Sequence, residues 1–160
     1  MMKKNLKLLK TKAFSLIELM VVIVIIGILA IGYVKLFGTG STKAMEAKSK
    51  DGFSKIVEYI SVEMLACNMG ETSTMGGKLT CLNRTAATVV AATVDASKDV
   101  QMNPYIQENS AVTSGGNNTA DSDAGYIRLS VSGTNIVAKT CHTKSCSESK
   151  NQRSETIALQ

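Results

Sequence analysis

The chain has 160 residues, room for one domain with a core of its own, and 44% of them are apolar while only 4% are aromatic. The 18 basic and 13 acidic residues leave a net charge of +5, which on its own suggests a nucleic acid or a membrane surface as partner. Its distribution argues otherwise: Lys3, Lys4, Lys7, Lys10 and Lys12 precede the first acid, and without these five the 13 remaining bases balance the 13 acids.

Those lysines lead into an apolar block over residues 16–34. A secretory signal peptide begins the same way, but this block is too long for its apolar region and no A-x-A-like site ends it. With Phe14 and Ser15 added it reaches the length of about 20 residues that a membrane span needs. The lysines before it place the N-terminus in the cytoplasm and the remainder outside. Glu18 is the anomaly, because a carboxylate in an apolar span costs about 2.5–3.5 kcal/mol on insertion scales. Near the membrane interface that cost shrinks and the carboxylate is tolerable, but tolerance alone gives it no role.

The order of residues does. Lys10-Thr11-Lys12-Ala13-Phe14-Ser15-Leu16-Ile17-Glu18-Leu19-Met20-Val21-Val22-Ile23-Val24-Ile25-Ile26-Gly27-Ile28-Leu29-Ala30 closely resembles the class III signal of type IV pilins, type II secretion pseudopilins and related competence pilins. The resemblance covers roughly the first 40 residues. It implies cleavage by a prepilin peptidase between Ala13 and Phe14, N-methylation of Phe14, and a role in assembly for Glu18. Two departures stand out. Ala13 replaces the usual glycine before the cut, and Lys35 stands where many members carry a proline. A proline kink is therefore excluded, although Gly27 and Gly32 let the helix yield locally at about 1 kcal/mol each. The glutamate has a physical role in such filaments. A mature N-terminal amine entering a water-poor helix core needs a partner, and Glu18 of a neighbouring copy supplies one. An unpaired buried charge costs several kcal/mol, so the pairing favours correct register.

Beyond the span, Gly38-Thr39-Gly40 is expected to loosen the helix. Periodicity then resumes with Phe53, Ile56, Val57, Ile60 and Met64 at three- and four-residue spacings. One helix from Phe14 to about Ala66 follows, on the order of 80 Å at 1.5 Å per residue, apolar all round at first and amphipathic later. Asn68-Met69-Gly70 and Met75-Gly76-Gly77 mark turns. Residues 85–94, rich in Thr, Ala and Val, predict a strand. Asn103-Pro104 interrupts the chain and Ser114-Gly115-Gly116-Asn117-Asn118 forms a loop. Residues 126–131 alternate, with Ile127, Leu129 and Val131 on one face. Ser132-Gly133-Thr134-Asn135 turns the chain into a hairpin partner over residues 136–140, and residues 156–159 add a last strand with Ile157 and Leu159 buried. The expected class is α+β: a long N-terminal helix packed on a C-terminal antiparallel sheet, the pilin fold in the terms of the resemblance. The expected organisation is a leader over 1–13, a transmembrane and filament-core helix over 14–37, and an extracytoplasmic domain over 38–160.

Cys67, Cys81, Cys141 and Cys146 all follow the apolar block. In an exported domain they read as two disulfides with three possible connectivities. The close pairs Cys67–Cys81 and Cys141–Cys146 are preferred. A zinc site using these thiols and His142 fits poorly, because no C-x₂-C pair exists. His142, the single histidine, reads as a solvated loop residue, and no catalytic set assembles around it. Asp121-Ser122-Asp123-Ala124-Gly125 has the alternating acids of a calcium loop but lacks the terminal Glu, so a hydrated turn is the simpler reading. Asn83-Arg84-Thr85 and Asn117-Asn118-Thr119 match a glycosylation sequon, a pattern frequent by chance.

The leading reading is a structural subunit of a type IV pilus, with no enzymatic activity and no cofactor. Its expected partners are the prepilin peptidase, the inner membrane before assembly, the pilus assembly machinery, and copies of itself in a surface filament. Nucleic acid stays open as a partner. A minor pilin or pseudopilin shares every N-terminal feature. The rival from another class is a single-span anchored binding domain, which has no need of Glu18. Motility, adhesion and DNA uptake suit such a filament equally, whereas few aromatics make electron transfer the least attractive role.

Overall fold

The computed structural model describes residues 16–159, except the side chains of Ile28 and of residues 30–40. The expected leader, with Ala13 and Phe14 at its cut, lies outside the described residues. The chain divides after Gly40 into two compact units, the second being Ser41–Gln160. Helix α1 is assigned over Leu16–Asn68.

In the first unit every described side chain over residues 16–27 is exposed, from Leu16 at 87% to Ile25 at 47%. Val and Ile are weaker helix formers than Ala or Leu, so this apolar helix depends on its surroundings more than on propensity. Among the described residues no helix is long and apolar enough to cross a membrane. The stretch whose side chains are described, residues 16–27 and Leu29, falls short of the about 20 residues a span needs. The loosening expected at Gly38, Thr39 and Gly40 does not occur, since all three are helical.

The second unit carries the core. On its part of α1, Phe53, Ile56, Ile60, Met64 and Cys67 are buried, the amphipathic stripe expected from their spacing. Two short strands follow, β1 (Ser73–Thr74) and β2 (Leu79–Thr80), paired antiparallel around a 3₁₀ turn at Met75–Gly77. The Met75 amide donates to the Glu63 carboxylate on α1 at 2.5 Å.

Residues 85–94 form no strand. They belong to helix α2 (Ala86–Ser97), and local chemistry explains the correction. The Thr85 hydroxyl accepts from the Thr88 amide while the Thr88 hydroxyl accepts from the Thr85 amide, a reciprocal cap that starts a helix. Val89, Val90, Thr93 and Ser97 then share a buried face. Their three- and four-residue spacing suits a helix and not a strand. The interspersed alanines offset the weak helix propensity of Val and Thr.

Four strands complete the unit in the order β3 (Val112–Ser114), β4 (Ile127–Ser132), β5 (Asn135–Cys141) and β6 (Gln152–Ala158). The hairpin β4–β5 pairs Ser132 with Asn135 across Gly133 and Thr134. Gly133 has φ +62°, which a tight two-residue turn requires. β6 pairs antiparallel with β5, but β3 runs parallel to β4. The sheet is therefore mixed, not antiparallel as expected. About a dozen intervening residues give the chain length for that parallel return. Phe53, Ile60, Val89, Ile127, Leu129 and Ile136 meet in one core, making the unit α+β. Val131, expected on the buried face, is 47% exposed near the hairpin end.

Candidate functional site

Among the described side chains of the first unit, Glu18 is the one polar group on an apolar surface. Glu18 lies in the first turn of described α1, exposed and flanked by Ile17, Leu19, Val21 and Val22. Placing that carboxylate in hydrocarbon carries a cost. Ala13 and Phe14 lie outside the described residues, so the geometry of the cut does not enter the argument.

In the second unit the cysteines are bonded as Cys67–Cys81 and Cys141–Cys146, with Cα separations of 5.3 and 5.5 Å. Thiols so used do not ligate zinc. The two aspartates of the 121–125 stretch are also engaged. Asp123 accepts from the Arg128 guanidinium at 2.6 Å and from the Ala120 amide at 3.1 Å, and Asp121 accepts from the Cys146 amide at 2.9 Å. They tie this turn to the second disulfide loop and to β4, while Asp121 and Ser122 stay exposed as a hydrated turn requires. Among the described residues no cluster of three or more His, Cys, Asp or Glu is placed to hold a metal ion.

His142 is buried, a correction of the solvated position expected for it. Tyr105 donates to its carbonyl at 2.7 Å and its amide donates to the Asn151 carbonyl at 3.0 Å. Its Nδ1 has no hydrogen-bond partner. Burial holds its pKa below the usual value, the Lys50 charge adds to this, and Glu46 opposes it. Adjacency to Cys141, a cysteine typical of packed disulfide loops, was the sequence signal for this burial. Asn83 and Asn117 of the two sequons are both exposed, while Thr85 is occupied in capping α2.

Two surface features escaped the sequence. Val62 and Leu65 stand exposed on α1, Met69 in the turn that follows it, and Leu82 beside Cys81. A separate hollow of about 740 Å³ lies between α2 and strands β3 and β4. Val62 and Leu65 fall off the buried stripe of α1, which is the signal that would have found them.

Residues 8–34 match the family described as the prokaryotic N-terminal methylation motif. The N-terminus is type IV pilin-like. The matched residues hold Lys10, Lys12, Ala13, Phe14, Glu18 and the apolar block over 16–34. Such a motif implies a precursor processed by a prepilin peptidase and delivered through the membrane to an assembly machinery. Comparison with curated proteins and with solved structures returned no match.

Proposed function

We propose that this chain is a structural subunit of a type IV pilus with a pilin fold, cleaved between Ala13 and Phe14, N-methylated at Phe14, and assembled by helix packing. The observation that carries this reading is the combination on α1 of apolar side chains exposed on every face over residues 16–27 with a single carboxylate, Glu18, in the first turn. Lipid covers such a helix in the precursor, and helices of other copies cover it in a filament. The filament gives Glu18 a task, pairing with the N-terminal amine of a neighbour in a water-poor core. An anchored binding domain has no such need. We read the protein as non-enzymatic, its second unit being a surface domain stapled by two disulfides. A minor pilin or pseudopilin shares this N-terminus, and abundance in surface filaments separates the three.

The test is the N-terminal mass of the protein in filaments sheared from cells. The expected mature chain lacks residues 1–13 and begins with N-methyl-Phe14. Retention of Met1, or a cut after Ala30, defeats the pilin reading.

A further inference from the structure

We propose that the return from β3 to β4 encloses internal water, held between the carboxamide of Asn118 and the guanidinium of Arg128. The site lies within the second unit and stands independently of the filament reading. Arg128 is on β4, and the chain arcs around its side chain. The Thr113 hydroxyl on β3 accepts from Nη1 at 3.3 Å, and Asp123 at the far end of the arc accepts from Nη2 at 2.6 Å. The Tyr126 ring lies 5.1 Å from the guanidinium carbon. The backbone at Gly116 comes so close that a Cβ there would stand 3.2 Å from Cδ, Nε and Cζ of Arg128. Gly116 also has φ +87°, so clearance and conformation both call for glycine. Asn118 occupies the middle of that arc, two residues past Gly116 and two before Ala120, whose amide donates to Asp123 at 3.1 Å. Asn118 is 3% exposed. Neither its side-chain oxygen nor its nitrogen has a hydrogen-bond partner, and Arg128 Nε has none either. Native interiors rarely leave such groups unpaired, and where protein supplies no partner ordered water does.

The chemistry of the three atoms selects the occupant. Arg128 Nε and Asn118 Nδ2 donate while Asn118 Oδ1 accepts, so the occupant must both accept and donate. An anion would face Oδ1, and the charge that could attract it is already matched by Asp123. A cation would face the Nε hydrogen. A side chain of another molecule does not reach atoms closed to the surface. Water meets every condition: its oxygen accepts from Nε and one of its hydrogens goes to Oδ1. The site bears on topology. β3 has three residues and runs parallel to β4, so its return segment needs anchors. The Gly115 amide donates to the Leu129 carbonyl at 2.7 Å, and Asp123 holds the other end through Arg128. Between these points the water is the polar tie that joins Asn118 to the sheet.

The experiment records NOE and ROE spectra between water and the isotope-labelled full chain in detergent. Cross-peaks from water to the Asn118 amide protons and to the Arg128 Nε proton are expected to change sign between the two spectra. That sign change marks water tumbling with the protein, whereas simple proton exchange keeps one sign. Absent peaks, or peaks of exchange alone, overturn the site. The variant Asn118→Leu gives a second reading whose direction decides. If the amide is buried dry, replacing it with an apolar side chain removes two unpaired polar atoms and raises the urea midpoint. If water bridges it to Arg128, the leucine expels that water and strands Nε, and the midpoint is expected to fall by roughly 0.5 M. The water peak at Arg128 Nε is expected to disappear with it. A midpoint that rises, or a peak that persists at Nε in this variant, overturns the site.

Discussion

His142 sits where a proton is unwelcome. Burial is the largest cause of its lowered pKa, Lys50 reinforces it, and Glu46 works the other way. The folded state therefore prefers the neutral imidazole more than the unfolded chain does. Above the unfolded value of about 6.5 both states are neutral and no penalty exists. As pH falls through 6.5 the unfolded chain takes up a proton that the folded one refuses, and stability drops until the folded pKa is passed. His142 is the only histidine, so the window between pH 7.5 and 5.5 isolates it from the carboxylates. The urea midpoint is expected to fall across that window in the native chain and to stay nearly flat in His142→Gln. Equal slopes in the two proteins would refute this account. Glu46 itself is held below the usual carboxylate range, chiefly by its hydrogen bond to Lys50. It therefore remains charged throughout the window and does not blur the result.

Two disulfides tie elements that pair weakly by themselves. Cys67–Cys81 joins the end of α1 to the exit of β2, and Cys141–Cys146 closes the loop leaving β5. β1 and β2 are two residues each, too short to hold their hairpin unaided. In the chain-entropy model loops of these lengths contribute about 3 and about 2 kcal/mol. Reduction is expected to lower the denaturation midpoint clearly, with peptide mapping of unreduced protein showing these two pairs. Crossed pairs or free thiols in protein from the cell surface would refute the assignment. Much of this architecture was legible in the sequence. The stripe through Phe53, Ile60 and Met64 and the β4–β5 hairpin around Gly133 follow from spacing and turn chemistry, whereas the last strand, expected over 156–159 with Ile157 and Leu159 buried, runs over Gln152–Ala158 with Ile157 half-buried and Leu159 outside it. What was missed depended on partners distant in sequence or on capping. Residues 85–94 look like a strand by propensity, and only the reciprocal Thr85–Thr88 cap and the four-residue burial period make them α2. The parallel placement of β3 is set by pairing with Ile127, Arg128 and Leu129, which three residues of local pattern do not encode. The candidate site divides in the same way. The signal through Ala13, Phe14 and Glu18 is a linear motif and reads directly, whereas the exposure of Val62 and Leu65 emerges only once the core has chosen the opposite face of the helix.

At the scale of the whole molecule the two units meet different environments. The second buries its own core, while the first exposes its apolar side chains over residues 16–27, for which the proposed function supplies lipid in the precursor and other copies in the filament. Glu18 is the residue by which these two covers differ. In lipid the carboxylate is a cost, so Glu18→Ala is expected to insert at least as well as the native chain. Cleavage between Ala13 and Phe14 is expected to proceed, because the cut and its small flanking residue are unchanged. In the filament the balance reverses. The amine of Phe14 then enters an apolar core without the carboxylate of its neighbour, and an uncompensated buried charge of this kind costs about 3–5 kcal/mol. Spread over every subunit addition, that penalty is expected to abolish filaments or to cut their yield at least ten-fold. The measurement is paired: abundance and N-terminal mass of the variant in membranes, and filament yield by electron microscopy. Normal processing with normal filament yield would defeat the role assigned to Glu18. Normal processing with lost filaments separates a pilin from an anchored monomer, since an anchor loses nothing when its span becomes more apolar.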